Sequence, residues 1–122
     1  MHARRGQQGL TLVELLVVVS VIGILAATAL PQFAGRQQGA FDARVQHDTR
    51  HAATAQEAYF NDHLAYSSNC LALPDFQPSD GIVVEECTGT ISSFRVTLDH
   101  PSAGETCTWD TTADEVLTCA AK

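Results

Sequence analysis

Residues 10–30 read LTLVELLVVVSVIGILAATAL, and Glu14 is the only charged side chain among these 21 positions. An α-helix rises about 1.5 Å per residue, so a helix over this stretch would be about 32 Å long. The hydrocarbon core of a bilayer is about 30 Å thick. The stretch therefore predicts a helix that crosses a membrane once.

Charge is distributed unevenly around this apolar stretch. Arg4 and Arg5 precede it, whereas the chain as a whole carries a formal net charge of −7. Basic flanks of membrane segments stay on the cytoplasmic side, so we expect residues 32–122 to face outward. The acidic balance also argues against nucleic acid as a partner.

The cysteines all follow the apolar stretch, at Cys70, Cys87, Cys107 and Cys119. Their spacing matches neither a paired Cys-x-x-Cys zinc site nor a redox dithiol. An even number of cysteines on the outer side of a membrane segment indicates disulfide bonds in an oxidising compartment. Four cysteines allow three pairings.

Two simple interpretations of the N-terminal region leave one residue unexplained. The first is a secretory signal peptide, because Ala27, Thr28 and Ala29 form a small-x-small cleavage site. Its apolar core would be longer than the usual 7 to 15 residues and would contain a carboxylate. The second is a plain membrane anchor. Neither gives Glu14 a role.

A third interpretation rests on residues 4–16, RRGQQGLTLVELL. This segment resembles the prepilin signal of type IV pilins and type II secretion pseudopilins. The resemblance implies that a prepilin peptidase cuts between Gly9 and Leu10 on the cytoplasmic face and N-methylates Leu10. It also implies that Glu14 is the family's fifth-position glutamate and that Gly23 and Pro31 give the helix flexibility. Leu10 departs from the pattern, since the family most often begins with phenylalanine.

Glu14 has a physical reason to seek a partner. An ionisable side chain inside hydrocarbon costs at least about 2.5 kcal/mol. The resemblance implies that the partner is the freed amino group of Leu10 on a neighbouring subunit. We expect this pair to set the register of subunits as they leave the membrane.

The rest of the chain predicts an α+β protein, and the resemblance implies the pilin fold. The expected parts are a leader over residues 1–9, a hydrophobic transmembrane and assembly helix over 10–31, and a globular pilin head over 32–122. We expect the helix to continue to about residue 62, because an apolar stripe recurs at helical spacing. The stripe consists of Phe41, Val45, Ala52, Ala55 and Tyr59, and Asp48 interrupts it.

Three or four short strands are expected after the helix, and the candidates are residues 82–86, 91–98, 105–110 and 115–120. They would form a small antiparallel sheet, with Phe94, Val96 and Leu98 on its packed face. A loop centred on Ala113 places Cys107 opposite Cys119 in the last two strands. The register therefore predicts the disulfide Cys107–Cys119 and leaves Cys70–Cys87 as the second.

No enzymatic motif is evident. His47 and His51 share a helix face, as in zinc proteases, but Asp48 replaces the glutamate and no third ligand is nearby. We interpret residues 47–51 as a solvated helix face. Asp80, Glu85 and Glu86 lack the spacing of a calcium loop and are expected to form an exposed acidic edge. The sequence predicts no catalytic site, metal or cofactor.

The predicted function is therefore structural. The chain would be an inner-membrane precursor that becomes a subunit of an extracellular type IV pilus-like filament. Its partners would be further copies, related pilins, the prepilin peptidase and the pilus assembly machinery. Adhesion, twitching motility and DNA uptake all stay open, the last only if Arg36, Arg44 and Arg50 form an exposed basic patch. The alternatives are a type II secretion pseudopilin or minor pilin, and a secreted disulfide-bonded binding module.

Overall fold

The computed structural model describes residues 9–122 and contains one long helix and one sheet. The helix, α1, is Leu12–His63, and the strands are β1 Val83–Gly89, β2 Phe94–Asp99, β3 Glu105–Asp110 and β4 Leu117–Ala121. The chain divides into two compact units after Gly35, and we refer to Arg36–Lys122 as the head unit. The predicted leader, residues 1–9, lies outside the described residues except for Gly9.

Helix α1 begins two residues later than predicted and ends at His63. Its helical conformation continues through Gly23 and Pro31. It stops because Leu64 adopts a left-handed conformation, with φ 56°. The Leu64 N–H still donates to the Phe60 carbonyl at 2.8 Å, so this residue closes the last turn and turns the chain away from the helix axis.

The sheet is an antiparallel meander in the order β1-β2-β3-β4. Along β2, Phe94, Val96 and Leu98 are buried and Arg95 is exposed, which confirms the predicted alternation. Leu98 lies opposite Cys107 of β3. The inner face of the sheet packs on the head-unit part of α1, and this confirms the α+β fold class.

Strand β3 has the predicted bounds, and the other three strands differ. β2 begins at Phe94 rather than at residue 91, because the Thr90 hydroxyl accepts hydrogen bonds from the N–H groups of Ser92 and Ser93 and holds a turn there. β4 begins at Leu117 rather than at residue 115. β1 begins at Val83 rather than at residue 82 and continues past residue 86 to Gly89.

The buried face of α1 is the predicted stripe. Val45, Ala52 and Ala55 are almost fully buried, and Phe41 and Tyr59 pack partly buried at the edges of the core. Small side chains along this face let the helix approach the larger side chains of β2 closely. The core of the head unit therefore lies between one helix and one sheet face.

Asp48 does not interrupt this stripe, and here the prediction was wrong. Its side chain is 1% exposed and accepts hydrogen bonds from the Ser79 N–H at 2.6 Å and the Ser79 hydroxyl at 3.1 Å. A buried carboxylate is stable when such donors satisfy it. Asp48 thus fastens the segment before β1 to the helix.

Gln56 fastens a second segment. It is fully buried, its Nε2 donates to the Ser67 carbonyl at 2.8 Å, and its Oε1 accepts from the Ser67 N–H at 2.9 Å. Asp42 fastens a third, since its Oδ1 accepts from the N–H groups of Gly104 at 2.7 Å and Glu105 at 3.2 Å. Polar side chains on one helix therefore position three separate loops.

The structure contains two disulfides with the pairing that the strand register predicts. Cys107 and Cys119 are direct partners across β3 and β4, with Cα atoms 4.1 Å apart. Cys70 begins a short 3₁₀ helix, Cys70–Ala72, and its disulfide to Cys87 of β1 spans 5.9 Å between Cα atoms. The second bridge holds the loop after α1 against the edge strand.

Candidate assembly site

The start of α1 is fixed by a reciprocal pair of hydrogen bonds between Thr11 and Glu14. The Thr11 hydroxyl accepts from the Glu14 N–H at 3.1 Å, and Glu14 Oε2 accepts from the Thr11 N–H at 3.1 Å. This arrangement is a capping box, in which residues at the N-cap and at the third helical position satisfy each other's backbone donors. The capping box was not predicted, although Thr-x-x-Glu before an apolar run is its usual sequence signal.

The capping box gives Glu14 a local role in addition to the predicted one. Its carboxylate lies at the positive end of the helix dipole, which favours a negative charge there. Oε2 also accepts from the Thr11 hydroxyl at 3.2 Å, whereas Oε1 accepts no hydrogen bond from the described residues. Glu14 is exposed, one helical turn after Leu10, so an oxygen is available to a further donor.

The helix that follows is apolar on every side. Each of the eleven large aliphatic side chains from Leu12 to Leu25 is more than half exposed in the single chain. Within residues 9–122, this is the one helix that is long and apolar enough to cross a membrane. A helix that is hydrophobic all round needs lipid or other helices around it. The segment fits a membrane-anchored precursor and packing within a filament.

Polar groups within the apolar segment are satisfied by the helix itself. The Ser20 hydroxyl donates to the Leu16 carbonyl at 2.7 Å, and the Thr28 hydroxyl donates to the Leu25 carbonyl at 3.0 Å. Such bonds to the preceding turn remove the cost of an unpaired hydroxyl in hydrocarbon. Among the side chains of residues 12–30, the exposed charge of Glu14 is therefore the group that most needs a partner.

Gly23 and Pro31 both lie inside α1. Pro31 has no N–H to donate to the carbonyl one turn earlier, so one helical hydrogen bond is missing there. A Cβ at Gly23 would meet open space, so no contact within the chain requires glycine at this position. The predicted role of the two residues in helix flexibility stays a prediction.

The segment 47–51 is only partly the solvated face that the sequence predicted. His47, Arg50 and His51 are exposed, but Asp48 and Thr49 are buried. His47 Nδ1 lies 3.2 Å from Asp48 Oδ1, on the same carboxylate that binds Ser79. In a catalytic triad the histidine lies between the aspartate and the serine and takes the proton of the serine hydroxyl. Here the aspartate lies between His47 and Ser79, so His47 is not placed to act as that base. Over residues 9–122 no group of three or more ligands is arranged to hold a metal.

The outer face of the sheet carries an ion pair near the end at which β2 begins. Arg95 donates to Asp110 Oδ2 from Nη2 at 2.6 Å and from Nε at 2.9 Å, and lies 3.9 Å from Glu86. Hydrogen bonds from the Thr112 hydroxyl and N–H, followed by those from Arg95, lower the pKa of Asp110 to about 2. Asp110 also ends β3, since its N–H donates to the Val116 carbonyl at 2.8 Å. The pair is satisfied internally, so its role is to fix the β3–β4 turn.

The N-terminal segment matches a known family. Residues 4–30 match the model of the prokaryotic N-terminal methylation motif. This match covers the predicted cleavage position, Glu14 and the apolar segment.

The curated relatives include type IV pilins and a protein of a type II secretion system. The chain is 43% identical over 111 residues to a type IV major fimbrial protein FimA of Dichelobacter nodosus, covering 80% of this chain and 58% of that protein. It is 39% identical over 69 residues to the type IV wide pilus major component PilA4 of Thermus thermophilus, covering 57% and 53%. It is also 42% identical over 65 residues to the type II secretion system core protein G of Pseudomonas aeruginosa, covering 53% and 46%.

The chain thus spans about half the length of these relatives. The similarities confirm the resemblance to type IV pilins and type II secretion pseudopilins.

Proposed function

We propose that this type IV pilin-like chain is a structural subunit of a filament and is not an enzyme. It is made as an inner-membrane precursor, a prepilin peptidase removes residues 1–9, and the new N-terminus at Leu10 is methylated. Residues 10–31 then leave the bilayer and pack with the same segments of other subunits, moved by the pilus assembly machinery. The observation that carries the proposal is an apolar segment exposed on every side, with one charged residue at its start.

Glu14 is proposed to bind the amino group of Leu10 on the neighbouring subunit. The free oxygen Oε1 supports this role, because the capping box occupies only Oε2. Removing one partner of a buried ion pair is strongly unfavourable, because the other charge is then left unpaired in an apolar core. The pair would therefore select one axial position for each incoming subunit.

Three variants separate this role from helix capping. Glu14→Gln keeps a side chain that can cap the helix but removes the charge. Thr11→Ala removes the capping hydroxyl but keeps the charge, and Glu14→Ala removes both. Each is expressed in the native envelope, its N-terminus is determined by mass spectrometry, and sheared surface filaments are quantified.

We expect all three variants to begin at methylated Leu10. Glu14→Gln should reduce filaments by about tenfold or more, equivalent to about 1.4 kcal/mol of lost pairing per subunit. Thr11→Ala should stay close to wild type, since a lost cap costs about 1 kcal/mol and helix α1 is long. Wild-type filament levels from Glu14→Gln would refute the pairing. An N-terminus at Leu30 would instead indicate a secreted binding module.

The similarity to core protein G favours a second candidate, a pseudopilin of a type II secretion system. A pseudopilin would also be cut before Leu10 and would also depend on Glu14. The two candidates differ in location, since a major pilin accumulates in sheared surface filaments and a pseudopilin remains in the envelope. Deletion of the gene would then abolish either surface filaments or the export of secreted proteins.

We also propose that Gly23 and Pro31 allow the helix to bend or partly unwind in the filament. Pro31 lacks the helical hydrogen bond, and glycine adds backbone freedom at the second position. Pro31→Ala should therefore stiffen the segment without affecting cleavage.

A further inference from the structure

The cations of the head unit fall into two groups. Arg95 is paired with Asp110 and Glu86, and Lys122 Nζ lies 2.6 Å from Asp99. Within the described residues, no ion pair is formed by the three arginines on α1, which are Arg36, Arg44 and Arg50. We call these three residues the basic face.

The basic face is free of acidic groups because the nearby carboxylates turn inward. The helix carries two acidic residues between Arg36 and Gln56, namely Asp42 and Asp48. Asp42 accepts from backbone N–H groups after β2, and Asp48 accepts from Ser79. At about 100° per residue, the three arginines lie within one third of the helix circumference. Their charges therefore reinforce one another on one outward side.

The head unit also has an acidic tip, formed by Asp114 and Glu115. Both lie exposed in the turn between β3 and β4, and neither forms an ion pair among residues 9–122. Thr111 of this turn donates to the Phe94 carbonyl at the start of β2. The acidic tip thus lies at the end of the sheet where β2 begins.

The basic face begins at the opposite end of the head unit. Asp42, between Arg36 and Arg44 along the helix, binds Gly104 and Glu105, which follow the end of β2. The part of α1 around Gln56 lies towards the acidic tip. Gln56 binds Ser67, and the adjacent Ser68 hydroxyl donates to the carbonyl of Gly89. Gly89 ends β1 and pairs with Phe94 at the start of β2. One head unit therefore cannot pair its own acidic tip with Arg36 and Arg44.

We propose that the acidic tip of one subunit docks on the basic face of a second copy of this chain, near Arg36 and Arg44. This inference rests on the proposed function and names the contact between head units. Copies stacked in the same direction bring the two opposite charges together at every step. A head-to-tail contact of this kind does not close on itself and generates an open filament. Complementary charge also sets register and orientation between partners.

Charge reversal with rescue tests this docking in the full chain. Asp114→Lys with Glu115→Lys reverses the acidic tip, and Arg36→Glu with Arg44→Glu reverses the basic face. Each double variant should form about tenfold fewer filaments, because two attractive rim pairs become repulsive. The variant with all four changes restores opposite charges and should recover filaments to within about twofold of wild type.

A matched control changes the net charge equally at another place. Asp75 and Glu85 are also exposed acids without an ion pair among the described residues. Asp75→Lys with Glu85→Lys should leave filament yield near wild type. The Trp109 fluorescence of every variant, measured during urea unfolding, should retain the wild-type midpoint, so that a loss of filaments reflects docking and not folding.

The outcomes also separate this inference from the proposed function. If wild-type filaments depend on Glu14 but the four-change variant stays as poor as either double variant, the docking is wrong and the filament function stands. If the basic-face variant keeps wild-type filaments and loses binding to double-stranded DNA, the basic face serves a polyanion and the docking is also wrong. If wild-type chains form no filaments, the proposed function itself fails.

Discussion

Replacing Gln56 with leucine should destabilise the head unit strongly, although leucine is similar in size and more apolar. Gln56 is fully buried, and its amide makes both hydrogen bonds of the Ser67 backbone, at 2.8 and 2.9 Å. Each bond contributes about 0.5–1.5 kcal/mol, and a backbone group left without a partner costs about 1–3 kcal/mol. Leucine restores none of this, so we expect a loss of about 2–4 kcal/mol.

Urea unfolding of the full chain in mild detergent measures this loss. Trp109 is the only tryptophan and packs against the core, so its fluorescence reports on the head unit. With a urea dependence of about 1.5 kcal/mol per molar, the midpoint should fall by about 1.3–2.7 M. The slope should stay the same, because the same surface is exposed on unfolding.

Gln46 provides the matched control. It is a glutamine on the same helix and in the same unit, but it is exposed. Gln46→Leu should change the midpoint by less than about 0.3 M, as surface substitutions usually do. A similar midpoint for Gln56→Leu and Gln46→Leu would refute the reasoning that the amide bonds to Ser67 hold the loop.

Three further predictions concern Asp110, Gly81 and Gly39. The pKa of Asp110 falls from its ordinary value of 3.8 to about 2 in the folded chain, so its stabilising effect is complete above pH 4 and is lost as the pH falls from about 4 to 2. Urea midpoints measured across this range should therefore decline less for Asp110→Asn than for wild type, and equal declines would contradict the pairing. Gly81 has φ 81°, and a Cβ there would collide with the His100 ring, so Gly81→Ala should lower stability by about 1–3 kcal/mol. Gly39→Ala, where a Cβ meets open space on the helix, should raise stability by about 0.5–1 kcal/mol in the same assay, and a loss there would show that backbone freedom is needed.

The features that followed from the sequence are those set by local periodicity. The apolar stripe through Val45 and Ala52 marks the buried helix face, and the alternation along β2 marks the inner face of the sheet. The pairing of Cys107 with Cys119 follows from the register of a short hairpin. Each of these depends on residues close in sequence, whose geometry a helix or hairpin fixes.

The features that did not follow depend on partners far along the chain or on turn chemistry. Asp48 is a charged residue on the apolar helix face, and only the approach of Ser79, 31 residues later, makes its burial favourable. The start of β2 is delayed because the Thr90 hydroxyl competes for backbone donors that a strand would use. The capping box of Glu14 is different, because it could have been predicted from the sequence: Thr11 lies three residues earlier, at the capping-box spacing.

The polar contacts of α1 explain how so small a head unit presents a fixed surface. An isolated four-stranded sheet with long loops has little core, and loops without secondary structure are ordinarily mobile. Asp42, Asp48 and Gln56 each bind the backbone of a different loop, near Gly104, at Ser79 and at Ser67. These acceptors lie on the helix that also supplies the apolar stripe, so one rigid element sets both core and loop positions.

The same contacts shape the electrostatics of the outer surface. The carboxylates of Asp42 and Asp48 accept hydrogen bonds from loop backbone N–H groups and so do not face outward. The charged side chains on the outward side of the helix between Arg36 and Arg50 are therefore cations. Had the Asp48 carboxylate faced outward, it would have lain within reach of Arg44, one helical turn earlier. Folding of the loops and creation of the basic face are thus consequences of the same two side chains. A variant such as Asp42→Asn should therefore weaken the β2–β3 turn without adding negative charge to the proposed docking surface.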